Sequence, residues 1–131
     1  MTSYKIFQIR LSDEDYAKIN ETGHVSVPKN KARIEIHVAT YDDKDISSLV
    51  REALDRGFYD HVADIEAADL HDVFRVGNVG PEELITRQPI VTEWAPMHSI
   101  SVGDVIEDTD GVRHVVLPRG FAPVSINREA A

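Results

Sequence analysis

The side chains of this chain best suited to chemistry are its histidines and carboxylates, and they crowd into one stretch. Asp60, His61, Asp64, Glu66, Asp69, His71 and Asp72 follow one another closely, and imidazoles with carboxylates are ligands for divalent metals. The spacing matches neither HExxH nor another recognised ligand set, and neighbours such as Asp60 and His61 point apart on a strand. No metal site is expected. Glu35 and His37, two residues apart, would share a strand face and suit general acid–base work, yet outward polar residues on an alternating strand are also what a half-exposed sheet displays. Ser99 and Ser101 lie outside GxSxG, and His98 is not made a base by sitting next to Ser99 in sequence. With no GxGxxG and no GxxxxGK[ST], a recognised phosphate cradle is missing. The sequence nominates no catalytic residue and no cofactor.

Charge offers a different reading of the same carboxylates. The formal charge is −9, from 23 acids and 14 bases. Residues 42–72 alone hold ten acids against Lys44, Arg51 and Arg56. A regional field of that sign repels nucleic acid phosphates and favours a basic partner surface, although a solvated acidic face that aids solubility is the plainer explanation. The candidate protein-binding residues are Asp42, Asp43, Asp45, Asp60, Asp64, Glu66, Asp69 and Asp72. Lys29, Lys31 and Arg33 form the only basic cluster and read as a solvated loop, so no direct nucleic-acid binding is expected.

These groups must be held by a fold. At 131 residues the chain suits a single domain able to bury a core without staples. It has no cysteine, which removes disulfides, thiolate metal sites and cysteine nucleophiles and fits a reducing compartment. No apolar run approaches the roughly 20 residues of a membrane helix, and the first residues do not begin a signal peptide, so a cytoplasmic protein is expected.

Phe7, Ile9 and Leu11 alternate and predict a first strand. Ser12 stands three residues before Asp15 in the pattern of a capping box, which predicts a helix over 13–20 ending near Gly23. Residues 32–39 alternate, with Ile34, Ile36 and Val38 inward and Arg33, Glu35 and His37 outward, and predict a strand. Asp42, Asp43 and Asp45 suit a helix N-terminus, followed by the stripe Ile46, Leu49, Val50, Ala53 and Leu54, with Gly57 as its stop. Residues 59–65 fit either a strand (Tyr59, His61, Ala63, Ile65) or a helical stripe. Residues 67–76 read as a helix with Leu70, Val73 and Phe74 on one face, stopped by Gly77-Asn78. A short helix at Gly80-Pro81-Glu82-Glu83, a strand over 90–94 ended by Pro96, and a last strand over 121–126 complete the pass. Between 105–106 and 112–117, Asp108-Thr109-Asp110-Gly111 predicts a β-hairpin of type I′ geometry with positive φ at Gly111. Before it, Ser99, Ser101, Gly103 and Asp104 suggest a tight, self-capped entry. The expected class is α+β, a mainly antiparallel sheet with two to four short helices and a C-terminal hairpin.

From Tyr59-Asp60-His61 through Phe74 and Asn78 to Ser99, Ser101, Asp104 and Gly120-Phe121, the chain resembles the YodL-like domain found in small proteins of bacteria, plasmids and phages. The likeness covers about 59–124, with no counterpart for 79–95, and it favours a strand for 59–65. It implies an accessory protein of a mobile genetic element and supplies no catalytic residues. The expected function is accordingly non-enzymatic: binding of a host protein with a basic surface through the acidic region, in its extreme form as a DNA-mimic inhibitor of a defence system such as CRISPR or restriction. The alternative is a small His/carboxylate-dependent enzyme, for which the minimum sign is a pocket that gathers His61 or His37 with carboxylates.

Overall fold

The computed structural model describes residues 2–23, 27–42, 46–78, 91–95 and 97–124. The sheet is built outward from β1 (Thr2–Ile9), which pairs antiparallel with β2 (Tyr59–Ala67) on one side and β4 (Val105–Glu107) on the other. Beyond β2 lies β3 (Val91–Glu93), and beyond β4 lie β5 (Arg113–Val116) and β6 (Phe121–Pro123). The order is β3-β2-β1-β4-β5-β6, every pairing antiparallel. With four helices this is an α+β fold, and β4-β5 and β5-β6 form the C-terminal hairpins.

A strand between two neighbours can bury both faces, and β1 does so toward its end, while Ser3 and Lys5 stay exposed. Tyr4 and Ile6 enter one core with Ala63, Ile65 and Ile106, whereas Phe7 and Ile9 enter the other with Tyr59, Val105 and Val115. The first core is closed by α4 (Leu70–Val76) through Val73 and Val76 and by Met97 and Ile100. The second is closed by α2 (Pro28–Asp42) through Ile36 and by α3 (Ile46–Asp55) through Val50 and Ala53. Ile46, Leu49 and Leu54 pack beside them, so the stripe read from spacing is the buried face of α3. Among the described residues no helix is long and apolar enough to cross a membrane.

Local signals account for several boundaries. Ser12 caps α1 (Asp13–Thr22): its Oγ accepts from the Asp15 N–H at 3.1 Å, and the Asp15 carboxylate accepts from the Ser12 N–H at 2.9 Å. This is the reciprocal capping box, and its hydrogen bonds hold the Asp15 carboxyl below its ordinary range. In the β4-β5 hairpin the Asp108 carboxylate accepts from the N–H groups of Asp110 and Val112 and pairs with His114 Nε2 at 3.0 Å. The Gly111 N–H donates to the Asp108 carbonyl, which makes Gly111 the fourth residue of the turn. Its φ of 80° therefore follows the turn, and the two-residue type I′ geometry expected from the sequence gives way to a three-residue loop.

Two elements depart further from the sequence reading. Residues 32–39 are helical, inside α2. Ile36 and Ala39 are buried on that helix while Val38 is 49% exposed, which is the i, i+3 periodicity of a helix face and not alternation. Pro28 opens the helix at the position where a missing N–H costs nothing, and Lys29, Lys31, Ala32, Arg33 and Glu35 are all good helix formers. The packing of Ile36 against the sheet overrides the β-propensity of three alternating branched residues. Consequently Lys29, Lys31 and Arg33 lie in the first turns of a helix and not in a loop, and Glu35 and His37 do not share a face. Asp42, expected at the start of the next helix, instead ends α2, and Asp43 and Asp45 lie outside the described residues.

The strand 59–65 is β2, which extends to Ala67, so α4 begins at Leu70 and not at 67. Between Ile6↔Ala63 and Phe7↔His61 the register slips by one residue at Val62. This bulge breaks the single alternation of Tyr59, His61, Ala63 and Ile65: Ala63 and Ile65 face one core, and Tyr59 and His61 face the other way. On α4, Phe74 is exposed and Val76 takes its expected place in the core. Gly77 follows because a Cβ there would stand 2.2 Å from Ile100 Cδ1. The short helix expected at Gly80-Pro81-Glu82-Glu83 and residues 90, 96 and 125–131 lie outside the described residues.

Helix and strand readings of 28–42 predict different mutational costs. Ile36→Ala should cost about 2–5 kcal/mol and Val38→Ala within about 0.5 kcal/mol, as measured by denaturant titration; equal losses would indicate an inward Val38. Gly111→Val should cost about 1–3 kcal/mol by forcing a β-branched residue to positive φ, and an unchanged thermal midpoint would contradict the hairpin geometry.

Candidate functional site

Among the described residues, the nominated carboxylates Asp60, Asp64, Glu66, Asp69 and Asp72 are not gathered on one surface. Asp60 pairs with Gln8 across the ladder and Asp64 with Lys5, which places Asp60 and Asp64 on opposite faces of the sheet. Asp60 lies 3.6 Å from Arg10 Nη1. Asp69 is the N-cap of α4 and accepts from the Asp72 N–H, and Asp72 accepts from the Ala68 N–H and from Arg75. The Ala68 hydrogen bond, with Arg75 beside it, holds the Asp72 carboxyl below its ordinary range. These two acids serve the start of a helix.

Asp64 and Glu66 do stand together, on a part of the sheet that α2 and α3 leave open. The exposed residues there are Ser3 and Lys5 of β1, Glu66 of β2 and Thr92 of β3. Asp64 is tied into a local constellation: Oδ1 lies 2.7 Å from His61 Nε2, and Oδ2 accepts from Trp94 Nε1 at 2.9 Å. The His61 ring sits 5.3 Å from Phe7 and 6.3 Å from Trp94, centroid to centroid. Trp94 remains 61% exposed. Lys5 and Arg113 both reach Glu107 on the same face, so charge here is mixed. Among the described residues no three His, Asp or Glu side chains converge as metal ligands would.

A second site contains His37, which the sequence offered for acid–base work, and is otherwise built from residues not nominated as site residues. Where β1 ends, α2 and the loop 98–104 enclose a cleft of about 320 Å³ lined by Ile9, Arg33, Ile36, His37, His98 and Asp104, among others. Asp104 is only 6% exposed. Its Oδ2 accepts from the Ser101 N–H at 2.9 Å and from Gln8 Nε2 at 3.1 Å. The same Gln8 amide donates to the His98 carbonyl at 2.9 Å and accepts from the His98 N–H at 3.2 Å. His98 Nδ1 lies 2.8 Å from the Ser99 carbonyl, and because a carbonyl only accepts, Nδ1 carries the proton. Behind the loop, the Tyr59 hydroxyl donates to the Gly103 carbonyl at 2.7 Å, and burial raises its pKa.

The self-capped entry read from Ser101, Gly103 and Asp104 is present: Gly103 has φ of 92°, and the Asp104 N–H returns to the Ser101 carbonyl. The sequence missed that Asp104 is also the floor of a cleft. The available signal was Gln8, a polar residue at a position that had to be buried in a central strand, which demands a polar partner from elsewhere in the chain.

Burial pushes the Asp104 carboxyl up to about 6, against the pull of His98, the Ser101 N–H, Gln8 and Arg33. In an unfolded chain it titrates near about 4. The folded state thus holds the proton to higher pH, so the contribution of Asp104 to stability is greatest below about pH 4 and is lost as pH rises through about 6. Asp104→Asn retains an oxygen for Ser101 and Gln8 without that loss. Thermal midpoints across this window should therefore favour the variant increasingly as pH rises; a constant difference would show that Asp104 titrates as an ordinary exposed acid.

No known protein family, curated protein or solved structure matches the chain, so its site is read from its own geometry.

Proposed function

We propose that this chain is a non-enzymatic accessory protein that binds a host protein through the open part of its sheet. The observation that carries the reading is Trp94. A large aromatic that is mostly exposed, yet held by an indole hydrogen bond to Asp64, is an anchor whose orientation is fixed before a partner arrives. Binding hot spots favour tryptophan, and a side chain already ordered loses less entropy on association. Asp64, which holds the indole, and Glu66, two residues further along the same face of β2, favour basic groups on the partner and steer its approach.

The mobile-element setting rests on the YodL-like resemblance, and an inhibitor of a defence complex is the form of host binding it suggests. The separation of Asp60 from Asp64 and the capping duties of Asp69 and Asp72 argue against a phosphate-like row of carboxylates, so DNA mimicry is the less favoured form. One observation favours the second reading, a small His/carboxylate-dependent enzyme: the cleft brings His37 and His98 together with Asp104.

Trp94→Ala should weaken association with a partner captured from host lysate by at least about ten-fold, the scale of a hot-spot loss. Glu66→Gln should slow association and flatten its salt dependence. Asp60→Asn, on the other sheet face, should do neither. Binding kinetics at two salt concentrations, with circular dichroism to confirm folding, would decide; a Trp94→Ala variant that binds as wild type does would exclude this surface.

A further inference from the structure

The cleft at the end of β1 has a division of labour that loop structure alone does not require. Asp104 Oδ2 fastens the loop through Ser101 and Gln8, and among the described residues no hydrogen bond reaches Oδ1. An acceptor oxygen on a side chain 94% removed from solvent has a desolvation cost that no partner offsets. His98 lines the same cleft, and with Nδ1 committed to the Ser99 carbonyl its Nε2 is the ring atom left to accept. Arg33 lines it too, and among the described residues only its Nε and Nη2 are engaged, both on Asn30 Oδ1. Beside His37, Ser101 and Gly103, the rest of the lining is aliphatic: Ile9, Ile34, Ile36, Val38 and Val102. A volume of about 320 Å³ is at the small end of ligand sites.

We propose that this cleft binds a small zwitterion with an apolar body, of the free α-amino acid class, with its ammonium on Asp104 Oδ1 and His98, its carboxylate on Arg33 and its side chain against Ile34, Ile36 and Val102. An ammonium has three donors and meets the two acceptors present, and a carboxylate meets the planar guanidinium. An apolar body uses the aliphatic walls, which neither a bare ion nor a sugar would. Each end is a charge-assisted contact in a partly dry site, where such contacts are stronger than in water. The acceptors come from the loop and the guanidinium from α2, so an occupant would bridge the two elements.

Calorimetric titration with L-leucine and L-phenylalanine tests the proposal, with phenethylamine and 3-phenylpropionate as molecules that keep only one charged end. Saturable one-to-one binding of an amino acid is expected, with each single-ended molecule weaker by at least about ten-fold. Asp104→Asn should reduce amino-acid binding by at least that factor. Arg33→Met, an exposed change on α2, should reduce it similarly while leaving phenethylamine binding unchanged, which separates a lost contact from a lost fold. Absence of saturable binding by both amino acids, equal binding by 3-phenylpropionate, or full binding by both variants would overturn the proposal.

Discussion

One amide in the middle of the sheet fixes much of this molecule. Gln8 is fully buried in the central strand, where a polar side chain without partners would be strongly destabilising. Its two ends are satisfied by the His98 backbone and the Asp104 carboxylate. The loop 98–104 cannot move without stranding that amide, so the position of the loop follows from the demand of one side chain some ninety residues away in sequence. Gly103 and Asp104 are then bonded to Val116 of β5, and the hairpin inherits the same reference point. The cleft is the space left between a loop held in this way and α2, whose own place is set by Ile36 in the core below the sheet.

The parts of the fold legible in the sequence were those decided locally. Ser12 and Asp15 satisfy each other across one turn, and the hairpin at Asp108–Gly111 is closed by its own residues, so neither needs knowledge of the rest of the chain. The stripe of α3 is equally self-evident, because one apolar face can only be an inside face. The acids were legible as a composition but not as an arrangement. Whether Asp60 and Asp64 share a face depends on the bulge at Val62, and whether Asp69 and Asp72 are free depends on where α4 starts.

The segment 28–42 was illegible for a related reason. Ile34, Ile36 and Val38 satisfy alternation, while Ala32, Ile36 and Ala39 satisfy a helical repeat, and only the surface offered by β1, β4 and β5 selects the second. The cleft then escaped detection because one of its walls had been assigned to a strand. Its floor was escaped too, since Asp104 reads as an ordinary turn residue until Gln8 is known to lie beneath it.

The placement of β1 has a consequence for how the chain comes into being. The strand on which both halves of the sheet depend precedes all its neighbours in sequence, and its pairing with β4 joins residues roughly a hundred positions apart. Such a topology has high contact order, and closure of so long a loop precedes any gain from the pairing. During translation β1 can acquire β2 as a neighbour, but its other edge stays open until β4 has left the ribosome. The sheet therefore cannot close before β4 is released, and a nascent chain stalled before β4 would present an unpaired strand edge to its surroundings.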